Sequence, residues 1–278
     1  MDVQLFLVPY DTGRPRWRCG AGPEHLLHAG LTAHLQRQGH VVRDIHVLED
    51  DPTHDPAEIR TAFELARRLA VQVRAARAAG HFALVLSGNC SAAIGTLSGL
   101  TPARRAIFWF DAHGDLNTPE TTTSGFLDGM GLAVATGLCW QSLAATVPGY
   151  RPVEAETTFL LGVRDLDPPE ASLVRQSAMT LVAVDQIPAE LPRLLELAPL
   201  AETVGYLHLD LDVLDPAVGR ANYLPVPDGV TVAQLTAAVA AIRDRVPLHA
   251  AGIASYSPEE DRGQGIARAA FAAIDAML

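Results

Sequence analysis

The chain has 278 residues, enough for one large α/β domain or two small ones. Its formal net charge of −11, with no basic cluster, argues against a nucleic-acid partner, and no apolar run approaches the ~20 residues of a membrane span. The three cysteines, Cys19, Cys90 and Cys139, are odd in number and widely spaced, which argues against a disulfide framework and fits a reducing cytosol.

Residues 1–9 lack the basic region and small-residue cleavage site of a signal peptide, and residues 3–8 read as a first core strand. An amphipathic helix is predicted over 23–38, with Pro23 near its first turn and Gly39 near its end. A second strand over 41–47 and a long Ala/Leu/Arg-rich helix over 56–79 follow. Residues 82–87 are a short apolar run of the buried parallel-strand type. They lead into Gly88-Asn89-Cys90-Ser91 and a short helix. The run 106–110, Ala-Ile-Phe-Trp-Phe, is another buried strand. Beyond it come strand 157–161, a helix, strand 180–184, helix 189–198, strand 204–209, helix 231–245, strand 248–254 and a terminal helix over 264–277. No repeat or Pro/Gly/Ser linker divides the chain.

This alternation predicts one domain spanning 1–278, with a mostly parallel central sheet covered by helices on both faces. Polar clusters at 87–91, 111–115, 162–167, 210–215 and 255–261 each follow the end of an apolar strand. In open α/β sheets ligands bind outside the carboxyl ends of strands, so these clusters are expected to share one crevice. Asp111, His113 and Asp115 occupy alternate positions after their strand and therefore face one way. Asp210 and Asp212 repeat the pattern, whereas Asp215, just before Pro216, reads as a turn residue. Four carboxylates and an imidazole in one crevice suit two divalent cations about 3.5–4 Å apart.

The blocks Asp-Ala-His-Gly-Asp-Leu-Asn (111–117) and Leu-Asp-Leu-Asp-Val-Leu-Asp-Pro (209–216) closely resemble the signatures of the ureohydrolase family, which comprises arginases, agmatinases and formiminoglutamases. The resemblance runs from about Leu84 to Pro258. It implies a three-layer α/β/α fold and a dinuclear manganese centre that hydrolyses guanidino or formimino C–N bonds. By that resemblance Asp111, His113, Asp115, Asp210 and Asp212 are metal ligands, with Asp111 and Asp210 bridging the two Mn(2+) ions. Asn117, Thr122 and Ser124 match the arginase residues that hold an α-carboxylate, and Asp167 the one that meets the α-amino group, with Glu170 assisting. The implied partner is a small amino-acid substrate. Nucleic acid and membrane are excluded as partners, and monomer and homo-oligomer are both left open.

Three positions depart from the family. Cys90 stands where a metal-binding histidine is usual. Asp128 falls on the proton-shuttling histidine, and Ser255 on the glutamate that faces the guanidinium; Glu259 and Glu260 are the nearby carboxylates that would have to compensate. A cysteine at the first position, together with Asn-Thr-Pro-Glu-Thr-Thr (117–122), is similar to the Nω-hydroxy-L-arginine amidinohydrolase of D-cycloserine biosynthesis, which releases hydroxyurea and L-ornithine. An N-hydroxyguanidine is less basic than a guanidinium, so it needs a carboxylate partner less. Four Asp, two divalent ions and a hydroxide sum to about −1, and a Cys90 thiolate makes about −2, which raises the pKa of bound water. Thiolate is also soft for manganese, so the ion beside Cys90 is expected to bind more weakly. Two readings of another class stay open: a cysteine nucleophile, Cys90 with His113 as base, and a non-catalytic binding protein of the same fold. His208, inside the strand before the second arm, reads as a core group or one that supports the ligands.

Overall fold

The structure is a computed structural model and describes residues 1–100 and 103–278. Its elements in chain order are β1 (Asp2–Val8), β2 (Tyr10–Asp11), β3 (Arg14–Pro15), α1 (Gly22–His28), α2 (Leu31–Arg37), β4 (Val41–Val47), α3 (Glu58–Ala78), β5 (Phe82–Ser87) and α4 (Ala92–Gly99). They continue with β6 (Arg104–Phe110), α5 (Gly131–Ala135), α6 (Gln141–Ala144), β7 (Thr158–Leu161), α7 (Pro168–Gln176) and β8 (Thr180–Val182). The last are α8 (Ile187–Leu197), β9 (Thr203–Asp210), α9 (Val232–Arg245), β10 (Leu248–Ala254) and α10 (Gly265–Met277). Eight strands form one sheet in the order β4-β1-β5-β10-β9-β6-β7-β8, and every neighbouring pair is parallel. The short β2 and β3 pair separately.

Side-chain alternation along the strands divides the core into two layers. Phe108 and Phe110 of β6 pack with Leu31, Leu35, Leu191, Leu235 and Ile274 from α2, α8, α9 and α10. Ile107 and Trp109 face the other side, towards Leu65, Leu69 and Val73 of α3 and Leu97 of α4. Strands covered on both faces must be apolar throughout, which is why β5 is buried from end to end.

The sequence reading needs two amendments. The helix expected over 23–38 is broken into α1 and α2, because Gly30 adopts a left-handed φ of 100°. The strand expected over 180–184 stops at Val182, where the chain turns towards α8.

The sheet order decides where the polar clusters meet. The chain leaves β5, skips the two places that β10 and β9 later fill, and enters β6. The carboxyl ends of β5, β10, β9 and β6 therefore stand side by side and carry Cys90, Ser255, Asp210 and Asp111 in that order. Gly88 lets the β5 loop pass against the Tyr10 carbonyl and the Gly20 backbone, where any Cβ would collide. Arg164 holds the neighbouring loops. Its guanidinium donates to the carbonyls of Gly162, Asp212, Val213, Val226 and Pro227 at 2.8–3.2 Å. Arg164→Lys cannot reproduce that planar fork. It should cost about 2–3 kcal/mol in a urea titration and speed metal loss in dialysis; unchanged stability would show that the five bonds are dispensable.

Candidate metal centre

The two acidic arms are built by the same local device. Asp111 Oδ1 accepts the His113 N–H at 2.7 Å, and Asp210 Oδ1 accepts the Asp212 N–H at 2.9 Å. A carboxylate that binds the backbone two residues on turns the chain sharply at the strand end. The arms are also tied together, since Asp212 Oδ1 accepts the Ala112 N–H at 3.2 Å. Asp115 and Ser255 sit at φ of 50° and 60°, a left-handed conformation that costs energy for non-glycine residues and is tolerated where the surroundings impose it.

Side chains converge on one spot. His113 Nδ1 lies 3.4 Å from both Asp111 Oδ1 and Asp212 Oδ2, and donor atoms of these three residues all fall within 4.8 Å of one another. The Cys90 thiol donates to Asp210 Oδ2 at 3.0 Å and lies 3.5 Å from Ser255 Oγ. Asp115 Oδ2 is buried with no hydrogen-bond partner among the described residues. Cys90, His113, Asp115, Asp210, Asp212 and Ser255 line a cavity of about 280 Å³, with Asp111 held against His113.

Charge is concentrated here. Burial, and then the nearby Asp212, push Asp111 up to about 6. Burial and neighbouring aspartates also raise Asp115 and Asp210. Burial works against the His113 cation, yet its contacts with Asp111 and Asp212 prevail and push it up to about 12. Burial raises Asp212 too, but His113 outweighs it and holds that carboxyl low. Burial and Asp210 lift the Cys90 thiol well above its ordinary value. An orphaned carboxylate oxygen beside an O/N donor set within one ion's reach fits a divalent cation of the manganese class, with sulfur available at the Cys90 end.

Other residues singled out in the sequence fall into three groups. Asp128 lines the cavity, is 9% exposed, and accepts from Asn89 Nδ2 at 2.8 Å and from the Ser91 N–H at 3.0 Å; burial pushes it up to about 8. Asn117 and Asp167 also line it and are joined at 2.9 Å. Glu170 lines the wall too, but both its oxygens are spent on backbone, accepting the Leu116 and Asp167 N–H groups at 2.9 Å. It therefore braces Asp167. Thr122 and Ser124 sit outside the cavity lining, on a loop where Thr122 Oγ1 accepts the Gly125 N–H and Ser124 Oγ the Phe126 N–H. Ser255 lines the cavity, whereas Glu259 and Glu260 line a separate surface groove and do not replace the carboxylate missing at Ser255.

Sequence reasoning missed Asp11, Asn89, Asn222 and Tyr223, all in the cavity lining. Asn222 Nδ2 donates to Asp212 Oδ2 at 3.0 Å. Asn89 Nδ2 bridges Asp128 and, at 3.4 Å, Asp11. For Asp11 a signal existed, because it follows the carboxyl end of β1 as the other clusters follow their strands. Asn89 belongs to the 87–91 cluster expected at the crevice, though its role was not read, and Asn222 carried no signal.

The family model described as "Arginase family" matches residues 1–278. The arginase of Bacillus caldovelox is 30% identical, covering 99% of this chain and 97% of that protein. The crystal structure of Bacillus cereus arginase superposes with a TM-score of 0.90 at 26% identity, covering 100% of this chain and 98% of that one. Entamoeba histolytica arginase in complex with L-ornithine shares the fold with a TM-score of 0.86 at 22% identity, covering 99% and 97%.

The raised carboxyls give metal-stripped protein a defined pH dependence. A carboxyl whose folded pKa lies above its unfolded value contributes stability that is full below about pH 4 and lost as pH rises through the folded value. With Asp111 near 6 and Asp128 near 8, the melting temperature of chelator-treated protein should fall by about 5 °C or more between pH 4 and pH 8. Excess divalent metal should flatten that fall. A flat profile in the stripped protein would contradict the charge balance described here.

Proposed function

The chain belongs to the arginase family, and on that premise we propose that it hydrolyses Nω-hydroxy-L-arginine to hydroxyurea and L-ornithine with two manganese ions. Membership makes it a metal-dependent ureohydrolase of C–N bonds in linear amidines. Asp111, His113, Asp115, Asp210 and Asp212, with Cys90, would hold the ions. The ions supply a water nucleophile activated near neutral pH.

The observation that carries the substrate is the end of β10. There Ser255 puts a neutral hydroxyl, 3.5 Å from the Cys90 sulfur, into the cavity lining. No carboxylate on that strand end faces the distal group, which suits a weakly basic hydroxyguanidine. Asn117 and Asp167 offer amide and carboxylate groups to the α-amino-acid end, and the hydroxyls of Thr122 and Ser124 are on the same loop as Asn117. Asp128 lines the same cavity and falls where the family pattern has its proton-shuttling histidine, so we assign it the transfer of a proton to the departing amine of ornithine. Arginine itself is the second reading, favoured by the identity to proteins named arginase; urea or hydroxyurea as product separates the two. Free, buried Cys19, Cys90 and Cys139 support a reducing cytosol as the site of action.

Metal-loaded protein should be assayed on hydroxyarginine, arginine, agmatine and formiminoglutamate, with the products identified. Hydroxyarginine should be preferred. Agmatine, which lacks the carboxylate, should show kcat/KM at least about 100-fold lower, since it leaves polar groups unpaired; comparable agmatine turnover would remove the roles given to Asn117 and Asp167. Full turnover by a demonstrably metal-free preparation would sink the metal mechanism. Cys90→His replaces a soft anion by an imidazole, so manganese retention after dialysis should rise and activity on arginine should rise only partly, because Asp128 and Ser255 are unchanged. Equal retention in wild type, Cys90→His and Cys90→Ser would return Cys90 to the core.

A further inference from the structure

His208 lies inside β9, one alternation before Asp210 on the same strand face, and is 1% exposed. Its ring stacks on Trp109 with centroids 3.6 Å apart and planes at 14°, which fixes the imidazole plane. Nδ1 meets the Tyr206 hydroxyl at 3.0 Å. Nε2 is buried and has no hydrogen-bond partner among the described residues. A packing histidine left in that state costs the fold a desolvated, unpaired nitrogen. The ring also offers a nitrogen within 4.8 Å of both the Cys90 sulfur and an Asp111 carboxylate oxygen.

We propose that Cys90, Asp111 and His208 form a metal position of mixed sulfur, oxygen and nitrogen donors that takes zinc in preference to manganese. Thiolate and imidazole suit zinc, whereas manganese favours oxygen. The Tyr206 hydroxyl acts as the outer partner that metal-bound histidines usually have: it takes one ring nitrogen, fixes the tautomer and leaves the other with a free lone pair. Tetrahedral zinc spaces such donors about 3.5 Å apart, inside the 4.8 Å within which these three atoms already lie. The step balances simply: the Cys90 S–H bond breaks, a sulfur–zinc bond forms, and the proton passes by way of its present acceptor, Asp210 Oδ2, to solvent. Where this family pattern loses an imidazole at Cys90, His208 supplies one from the next strand but one. The inference rests on the dinuclear reading in that Cys90 and Asp111 are assigned to both, and it makes zinc rather than manganese the ion at the Cys90 end.

Whole protein stripped of metal is titrated with zinc, manganese and cobalt in separate experiments. Metal content after desalting, proton release, and the sulfur-to-cobalt charge-transfer absorption are measured. Wild type should keep one zinc more tightly than any manganese and show the sulfur–cobalt band. His208→Gln and Tyr206→Phe should each weaken zinc at least about 10-fold and shift that band while circular dichroism stays native. A folded His208→Gln with wild-type zinc affinity and an unchanged cobalt spectrum overturns the proposal. If His208→Gln does not fold, Tyr206→Phe decides by the same readouts. Asp212→Asn separates this inference from the dinuclear reading. One zinc retained by Asp212→Asn and lost in Cys90→Ser supports the position. If Asp212→Asn loses all metal while His208→Gln loses none, the position fails and the oxygen-rich centre stands.

Discussion

Buried negative charge at the carboxyl ends of two neighbouring parallel strands, β6 and β9, is the constraint on which this structure depends. Asp111, Asp115, Asp210 and Asp212 are each at most 6% exposed; the last three line one cavity, and Asp111 lies against His113 of the same lining. Desolvated carboxylates this close repel one another and disfavour the charged form, so the fold surrounds them with fixed donors. Backbone N–H groups of Ala112, His113 and Asp212, the Trp109 indole and the Asn222 amide all point inward. Arg164 contributes differently. It spends its donors on carbonyls and so locks the loop that carries Asp212 without neutralising the carboxylates directly.

The departures from the family pattern cluster on one side of the cavity. Cys90, Ser255 and Asp210 are in mutual contact where β5, β10 and β9 end side by side. His113 and Asp212 lie on the β6 side with ligands of the usual hard type. Softness of the donors therefore changes across the cavity, from oxygen and imidazole at one end to sulfur at the other. On the proposed dinuclear reading, donors graded in this way would give the two positions different metal preferences, because affinity for a divalent ion follows donor chemistry as well as charge. The same side of the cavity lacks a carboxylate at Ser255, so metal preference and substrate basicity are set by neighbouring residues.

How much of this was legible in the chain depended on periodicity. Alternation of apolar runs with amphipathic stretches specified a parallel α/β sheet, and the two-residue spacing singled out Asp111, His113 and Asp115 and then Asp210 with Asp212, although beyond each strand end the chain turns instead of staying extended, with Leu211–Val213 in a 3-10 turn. Both are local properties, so they can be read without knowing what lies next to what. Family resemblance extended the reading to Cys90, Asp128, Asn117 and Asp167, all of which line the cavity. Glu170, read as assisting Asp167, lines the cavity as well, and its oxygens cap α7 and hold Leu116, a detail the sequence does not state because a side chain's hydrogen-bond partners are not a property of its own segment.

What only the tertiary structure decided is who meets whom across the sheet. Crossover connections let β9 and β10 fill the gap between β5 and β6, and nothing local in the sequence states that order. It alone puts His208 against Trp109 and near Cys90, puts Ser255 beside a thiol, and turns Asn89 and Asn222 from anonymous loop residues into groups that hold Asp128 and Asp212. The sequence by itself determined the kind of fold, the two acidic arms and the strand ends that bear them, since those follow from spacing along one segment. Which candidate donors meet was decided by strand order, since contacts between residues a hundred or more positions apart arise only once the sheet has closed.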